Sequence, residues 1–435
     1  MRLEIGRFKV RDIVFGDKTA YSNGILTVNK AEALACVRED IHITEAELKI
    51  VRPGDMVRLC PVKESVEFRC KVEGGEGAYP GATSPLAQAG MGRTHVIEGA
   101  TVIAVGQHWG GFQDGLIDMG GPFQHYTIWG DMPNLVLVAD TDELDEQREQ
   151  QKKNHAIRWA AMRLAEHVAE CLRELEPEET DIYDLPPLEE RDAATKALPG
   201  VVYVLQPQTQ MEALGYNTLI YGWDGNRMLP TLMHPNELLD GCMVSGSFMP
   251  SSSKISTYEY STNPMLKKLY SEHGKSINFL GVIMSTLNPK MEEKTRCVQI
   301  AGQIAVALGA KAAVVAEEGY GNPDVDYTAM LVELERLGIK TVGISDEATG
   351  RDGASQPLVS MNPAENALVS TGNVSQFYEL PAMEVIGELE ALARDGNSGG
   401  WEGCINPDGS CVMENNGMFC ANHISGYSKR SCADF

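Results

Sequence analysis

Apolar and polar positions along this chain fall into two textures. From Phe8 to Phe15 they alternate in part, a Gly16-Asp17 turn follows, and Gly24 to Val28 forms a second short run. Alternation with period two marks strands that have one face in a core and the other in water. Ala31 to Arg38 has helical spacing, Arg52-Pro53-Gly54-Asp55 is a turn, and Thr101 to Val105 is a buried-strand run. Residues 1–141 therefore predict a β-rich N-terminal domain. Beyond Asp142 the period changes. Ala156, Trp159, Ala160, Met162, Leu164, His167, Val168 and Leu172 recur at i, i+3, i+4 spacing and predict a long helix, on which His155 and His167 need no role beyond packing. The acidic, proline-bearing stretch Glu176 to Asp192 reads as a linker, so that 142–197 is expected as helix and acidic linker.

Past the linker the apolar runs lose their alternation. Gly200–Leu205, Thr218–Gly222, Ile277–Ile283, Lys311–Ala316 and Ile339–Ile344 are short runs of strand type. Helical periods at Thr295–Leu308 and Tyr327–Leu337, the second closed by Gly338, lie between them. Strand–helix–strand units of this length predict a layered, mostly parallel sheet over 198–398. The fold class expected is α/β, a β-rich region followed by a layered α/β region, with a cysteine-containing tail over 399–435.

Composition narrows the function classes. Lys+Arg 37 against Asp+Glu 61 leaves a formal charge of −24 over 435 residues with no basic patch to offset it. Nucleic acid and anionic membrane surfaces are poor partners for such a chain. No apolar run reaches the roughly 18–20 residues needed to cross a bilayer, and the first residues have no apolar signal core, so a cytoplasmic location is expected. Ten scattered cysteines then read as reduced thiols. In the tail, Cys404, Cys411, Cys420, Cys432 and His423 are spaced too irregularly to predict a zinc site, and no metal is expected. The glycine-rich stretch Glu73 to Gly81 lacks a dinucleotide-binding fingerprint.

Three stretches carry candidate chemistry. Gly106 to Met119 crowds glycines around His108, Trp109 and Phe112 at a strand end, either a binding loop or a packed turn. Glu317 and Glu318 follow a buried strand, at the end of a parallel sheet where ligands bind; the alternative is a cap on the next helix. Asp240 to Lys254, a run of small and hydroxyl residues around Pro250, reads as a turn-rich loop whose backbone is exposed to approach a ligand.

Around that last loop the order of short motifs is specific. Leu229-Pro230-Thr231 and His234-Pro235-Asn236 precede Asp240-Gly241 and Val244-Ser245-Gly246; Asn263-Pro264 and the segment Leu269 to Ile283 follow. Gly111-Phe112-Gln113, Ile117-Asp118-Met119, Glu317-Glu318-Gly319, Gly321-Asn322-Pro323-Asp324 and Gly350 to Gln356 complete the series. This order resembles component B of the glycine, sarcosine and betaine reductases of amino-acid-fermenting anaerobes, over most of the chain. In the glycine and sarcosine enzymes of that family the chain is cut before a cysteine that becomes a pyruvoyl group. Laid on the family pattern, Ser247 is the polar residue before that cysteine and Phe248 stands in its place, while Cys242 lies six positions early.

The resemblance implies a subunit of an oxidoreductase complex, active with partners: a selenocysteine-containing component B subunit, the selenoprotein component A and the acetyl-phosphate-forming component C. The departure at Phe248 points to betaine, an already cationic quaternary amine that needs no pyruvoyl activation, and hence to no cofactor intrinsic to this chain. Quaternary ammonium ions are held by aromatic faces and acids, so the expected substrate-binding residues are Phe248, Ser247, Tyr258, Tyr260, Trp109, Glu317 and Glu318. Two alternatives stay open: a glycine or sarcosine proprotein that forms its pyruvoyl group from Cys242 by an N→S acyl shift, and a non-catalytic small-molecule-binding subunit.

Overall fold

The computed structural model describes residues 1–107, 115–142, 147–210, 217–246, 249–365, 367–394 and 399–427. The first region is built on an eight-stranded mixed sheet: β1 (Arg2–Lys9), β2 (Ile43–Val51), β3 (Val57–Glu73), β4 (Gly92–Gly106), β5 (Gly115–Asp118), β6 (Asn134–Thr141), β7 (Glu179–Asp184) and a late strand, Glu384–Gly387. The two long strands β3 and β4 pair antiparallel along most of their length, and β1 lies parallel to β4. Helix α1 (Gln147–Ala169) covers this sheet, its Ala156, Ile157, Ala160 and Leu164 packing with Val66, Phe68 and Val102.

The segment expected as a linker is different in kind. Glu179 to Asp184 is β7, paired antiparallel with β1 from Arg2↔Asp184 to Arg7↔Glu179. Its acids are held by cations across the ladder: Arg7 bonds Glu179 at 3.1 Å and Asp181 at 3.0 Å. An acidic run that looks solvated in one dimension is thus an edge strand facing basic residues from the far N-terminus.

The second sheet has six strands in the order β9-β10-β8-β11-β12-β13: β8 (Gly200–Gln206), β9 (Thr231–Met233), β10 (Asn278–Met284), β11 (Ala312–Glu317), β12 (Lys340–Glu347) and β13 (Leu368–Asn373). All neighbours are parallel except the edge pair β9/β10, as the unbroken apolar runs predicted. Helices α3 (Met291–Ala307) and α4 (Asn322–Arg336) cover one face through Val298, Ala301, Met330 and Leu334. The other face meets the first sheet: Leu3, Ile5, Val96 and Tyr183 share a core with Tyr203, Leu205 and Ile344. Residues 218–222 keep only a two-residue strand, Leu219–Ile220, in a small separate sheet. Among the described residues no helix is long and apolar enough to cross a membrane.

The serine-rich loop departs from its expectation. Ser245, Ser251, Ser252, Ser253 and Lys254 are fully buried. Hydroxyls survive there because neighbouring backbone and side chains meet them, which a sequence pattern does not reveal.

Candidate functional site

The carboxyl ends of β8, β11 and β12 converge with two segments that arrive from elsewhere in the chain. One is the Ser251–Ser253 turn; the other is the tail from Asn415 to Ser425. Backbone bonds lock them together: Cys420 N–H donates to Ser251 O at 2.8 Å, Asn422 N–H to Ser252 O at 3.0 Å, and Gly319 N–H to Ser253 O at 3.3 Å. Gly115 lies against Ser251 and Phe419, and a Cβ there would overlap the Ser251 hydroxyl.

Acids dominate this convergence. Asp346, at the end of β12, accepts from the Ser253 hydroxyl and from Asn422 Nδ2 at 3.0 Å, both through Oδ2, while Oδ1 meets no donor. Burial pushes its pKa up to about 7. Glu318 accepts from Ile255 N–H at 2.8 Å, Gln208 N–H at 2.9 Å and the Tyr260 hydroxyl at 2.7 Å. Those bonds favour its charged form, yet burial outweighs them and raises its pKa to about 7. Glu317 is also fully buried, and among the described residues its carboxyl meets only the carboxyl of Asp324. Burial, with the carboxylates of Asp324 and Asp346 nearby, drives its pKa well above the usual range. Gln206, in register with Glu317, and Ser345 also bring oxygens without partners to this end of the sheet.

Compensating charge is sparse. Among the described residues the cation that reaches Glu318 is Lys254, fully buried and held by Lys63 O at 2.9 Å. It is shared with Glu64 at 3.9 Å, and burial lowers its pKa. Glu64 already has Arg158 at 3.1 Å and the Thr257 N–H at 3.0 Å. Three buried carboxylates, Glu317, Glu318 and Asp346, therefore stand at a strand end with at most a share of one lysine.

A six-residue helix, α2 (Thr257–Thr262), distributes the surrounding contacts. Its start is set locally: the Ser256 hydroxyl accepts Glu259 N–H at 3.3 Å while Glu259 Oε2 accepts Ser256 N–H at 2.9 Å, a capping box. Glu259 Oε1 lies 3.3 Å from both His423 Nδ1 and the Ser425 hydroxyl, so α2 ties down the tail. Tyr260 faces Glu318, and Tyr258 faces away from it, toward Tyr427 with ring centroids 6.3 Å apart.

Of the expected site residues, the structure brings Tyr260 and Glu318 together. Glu317 follows the strand alternation to the opposite side of the sheet, toward Asp324 and Tyr327 of α4. Tyr258 lines a separate cavity. Ser247, Phe248 and Trp109 lie outside the described residues. Cys242 is fully buried, and burial raises its thiol pKa well above the usual value. The serine turn lies in the loop expected to approach a ligand, though Ser251–Ser253 are not among the expected site residues; Asn422 and Glu64 carry no signal in the sequence, and His423 stands out only as a rejected metal ligand. Asp346 was visible as an acid after a strand, but its partners come from 76 and 93 residues away. Among the described residues no group of three or more His, Cys, Asp or Glu is arranged to hold a metal ion.

Residues 1–433 match the family model of glycine/sarcosine/betaine reductase component B subunits. The chain is 56% identical, over the full length of both proteins, to the betaine reductase complex component B subunit alpha of Peptoclostridium acidaminophilum. It is 36% identical, again over both full lengths, to the glycine reductase complex component B subunits alpha and beta of Acetoanaerobium sticklandii. Identity to the sarcosine reductase complex component B subunit alpha of Peptoclostridium acidaminophilum is 36%, over 99% of each chain. No solved structure matches.

Proposed function

Because the chain belongs to the glycine/sarcosine/betaine reductase component B family, we propose that it is the substrate-holding subunit of a complex that reductively cleaves the C–N bond of betaine. The observation that supports this reading is the surplus of buried acid at the end of the second sheet, Glu318 and Asp346 against a Lys254 shared with Glu64. A cation brought among these acids would favour the charged forms that burial disfavours, and a quaternary ammonium offers that charge with no proton to give up.

Betaine nitrogen cannot form a Schiff base, but it departs as neutral trimethylamine. A partner's selenol supplies the nucleophile. As selenium bonds to the methylene carbon, the C–N bond breaks and its electron pair leaves with the amine; the two-carbon unit passes on towards acetyl phosphate. This chain's share is binding and orientation, with acids stabilising the ammonium and the buried Ser251–Ser253 turn fixing the floor. Phe248, where the family's processed cysteine belongs, adds an aromatic face. Its side chain has no nucleophile for an acyl shift, and the buried thiol of Cys242 is costly to ionise, so the residues present do not fit a pyruvoyl group and the chain stays intact. Component B works with further components; on this reading they are the selenocysteine-containing subunit, component A and component C, in the cytoplasm.

Intact mass of the purified protein, beside turnover of the reconstituted complex on betaine, sarcosine and glycine, tests the proposal. An unfragmented chain and turnover of betaine alone are expected; two fragments split near residue 241 or 247, or glycine as the preferred substrate, would overturn it. Phe248→Ala is expected to weaken betaine binding by about 1–2 kcal/mol, the loss of one cation–π contact.

A further inference from the structure

A cavity of about 260 Å³ lies between the first sheet and α2. Tyr258 lines it, whereas Tyr260 bonds Glu318; residues two apart on a helix point about 200° apart, so the cavity is on the far side of α2 from the acid-rich strand end. Its volume is just below the roughly 300 Å³ at which drug-sized pockets begin, which limits it to a small ligand.

Three bases (Arg7, Arg69 and Lys267) and three acids (Glu67, Glu98 and Asp181) line it, with aromatic rings at the side. Arg69 is fully buried; its Nη2 donates to Leu239 O at 2.7 Å, and its Nε sits 3.5 Å from Glu67 Oε2. Neither Nε–H nor Nη1–H meets an acceptor within hydrogen-bond geometry. Glu67 is no full counter-charge, because its own burial favours the protonated form. Lys267 is exposed at the mouth. Arg7, also on the rim, is already committed to Glu98, Glu179 and Asp181 at 3.5, 3.1 and 3.0 Å. The rings of Tyr258 and Tyr427 form the apolar wall, and the Tyr427 hydroxyl is turned to Thr262 Oγ1 at 2.6 Å.

A buried guanidinium with free donors is costly unless an anion meets it, and its planar fork matches a carboxylate. We propose that this cavity is a second binding site, for small carboxylates, in which Arg69 takes the carboxylate, Lys267 draws it to the mouth and the two tyrosines cover its carbon end. The ligand is either a zwitterion of the betaine type or a simple carboxylate. The site is coupled to the strand end by a short path: Tyr427 continues the tail segment whose Ser425 and His423 bond Glu259, and whose Asn422 bonds Asp346.

Calorimetric titration of the full chain with sodium acetate, matched against sodium chloride, tests the site without reference to the substrate, since acetate has no cation for the acid-rich strand end. Saturable acetate binding is expected in the parent and in Asp346→Asn. Lys267→Glu, a surface change that leaves the fold intact by circular dichroism, is expected to weaken it on the order of tenfold, and Arg69→Gln to abolish it. Displacement of acetate by betaine but not by tetramethylammonium supports the site with a zwitterion as ligand. Acetate binding that betaine leaves untouched supports it with a simple carboxylate. Acetate heats no larger than those of chloride, or saturable binding unchanged in folded Lys267→Glu and Arg69→Gln, would overturn the proposal.

Discussion

Strand β3 and the carboxyl end of the second sheet both bury charge, and they treat it in opposite ways. Along β3, Arg58 grips Asp118 through two bonds at 2.6 and 2.9 Å, Glu64 receives Arg158 at 3.1 Å, and Lys71 pairs with Asp240. In these three pairs each charge has its opposite, and each pair joins segments distant in sequence. At the strand end, Glu317 meets only another acid, Asp346 has an oxygen without a donor, and Glu318 has donors but only a distant cation. Neutralised pairs hold elements in place; breaking one strands its partner in a medium that solvates it poorly. Acids left without a base are kept at the expense of stability, which is the usual mark of a binding or reacting centre.

The contrast is sharpest in what each region loses on mutation. Arg58→Met leaves Asp118 buried with no cation, and urea unfolding should show a loss of about 3–5 kcal/mol; parent-like stability would mean that the pair is not the anchor it resembles. Asp346→Asn should do the reverse. Its folded pKa of about 7 lies above the unfolded value near 3.9, so the folded chain binds the proton more tightly. The stability this contributes is full below about pH 4 and is lost as pH rises through about 7. Unfolding measured from acid to mildly alkaline pH should therefore show a shallower fall for the Asn variant, which ends about 2–4 kcal/mol more stable on the alkaline side while binding betaine more weakly. A parallel pair of curves would contradict the assignment. Tyr260→Phe removes one of three donors to Glu318 and should cost about 1–2 kcal/mol, read in the same urea transitions. Smallest of all, Glu179→Gln breaks exposed contacts to Arg7 and Lys9 and should leave the urea midpoint unchanged.

The same contrast explains what the sequence made legible. The runs at 200–205, 277–283, 311–316 and 339–344 identified the parallel sheet because a strand covered on both faces writes its burial directly into its residues. The position of Glu317 and Glu318 followed from that topology. Strand β3 could not be read this way: Arg58, Lys63, Glu64, Glu67, Arg69 and Lys71 are all buried, yet in one dimension they resemble a solvated face. Their partners lie up to 353 residues away. Within the acidic 176–192 stretch, the edge strand Glu179–Asp184 is hidden for the same reason, since its cations Arg7 and Lys9 lie far away in the sequence. At the site, the serine turn was conspicuous, but its burial depends on Asp346 and the 415–425 tail, and no local pattern links the three.

Helix α2 has one more consequence. Its six residues make fewer than two turns, and consecutive side chains serve different neighbours: Tyr258 the carboxylate cavity, Glu259 the tail, Tyr260 the strand-end acid, Ser261 the Glu67 carboxylate at 3.4 Å, Thr262 the Tyr427 hydroxyl. Each added or deleted residue rotates everything beyond it by about 100°. A single-codon deletion here would reassign every one of those addresses at once, where a substitution alters one. The segment is therefore phase-locked: it tolerates change in its letters and none in its length.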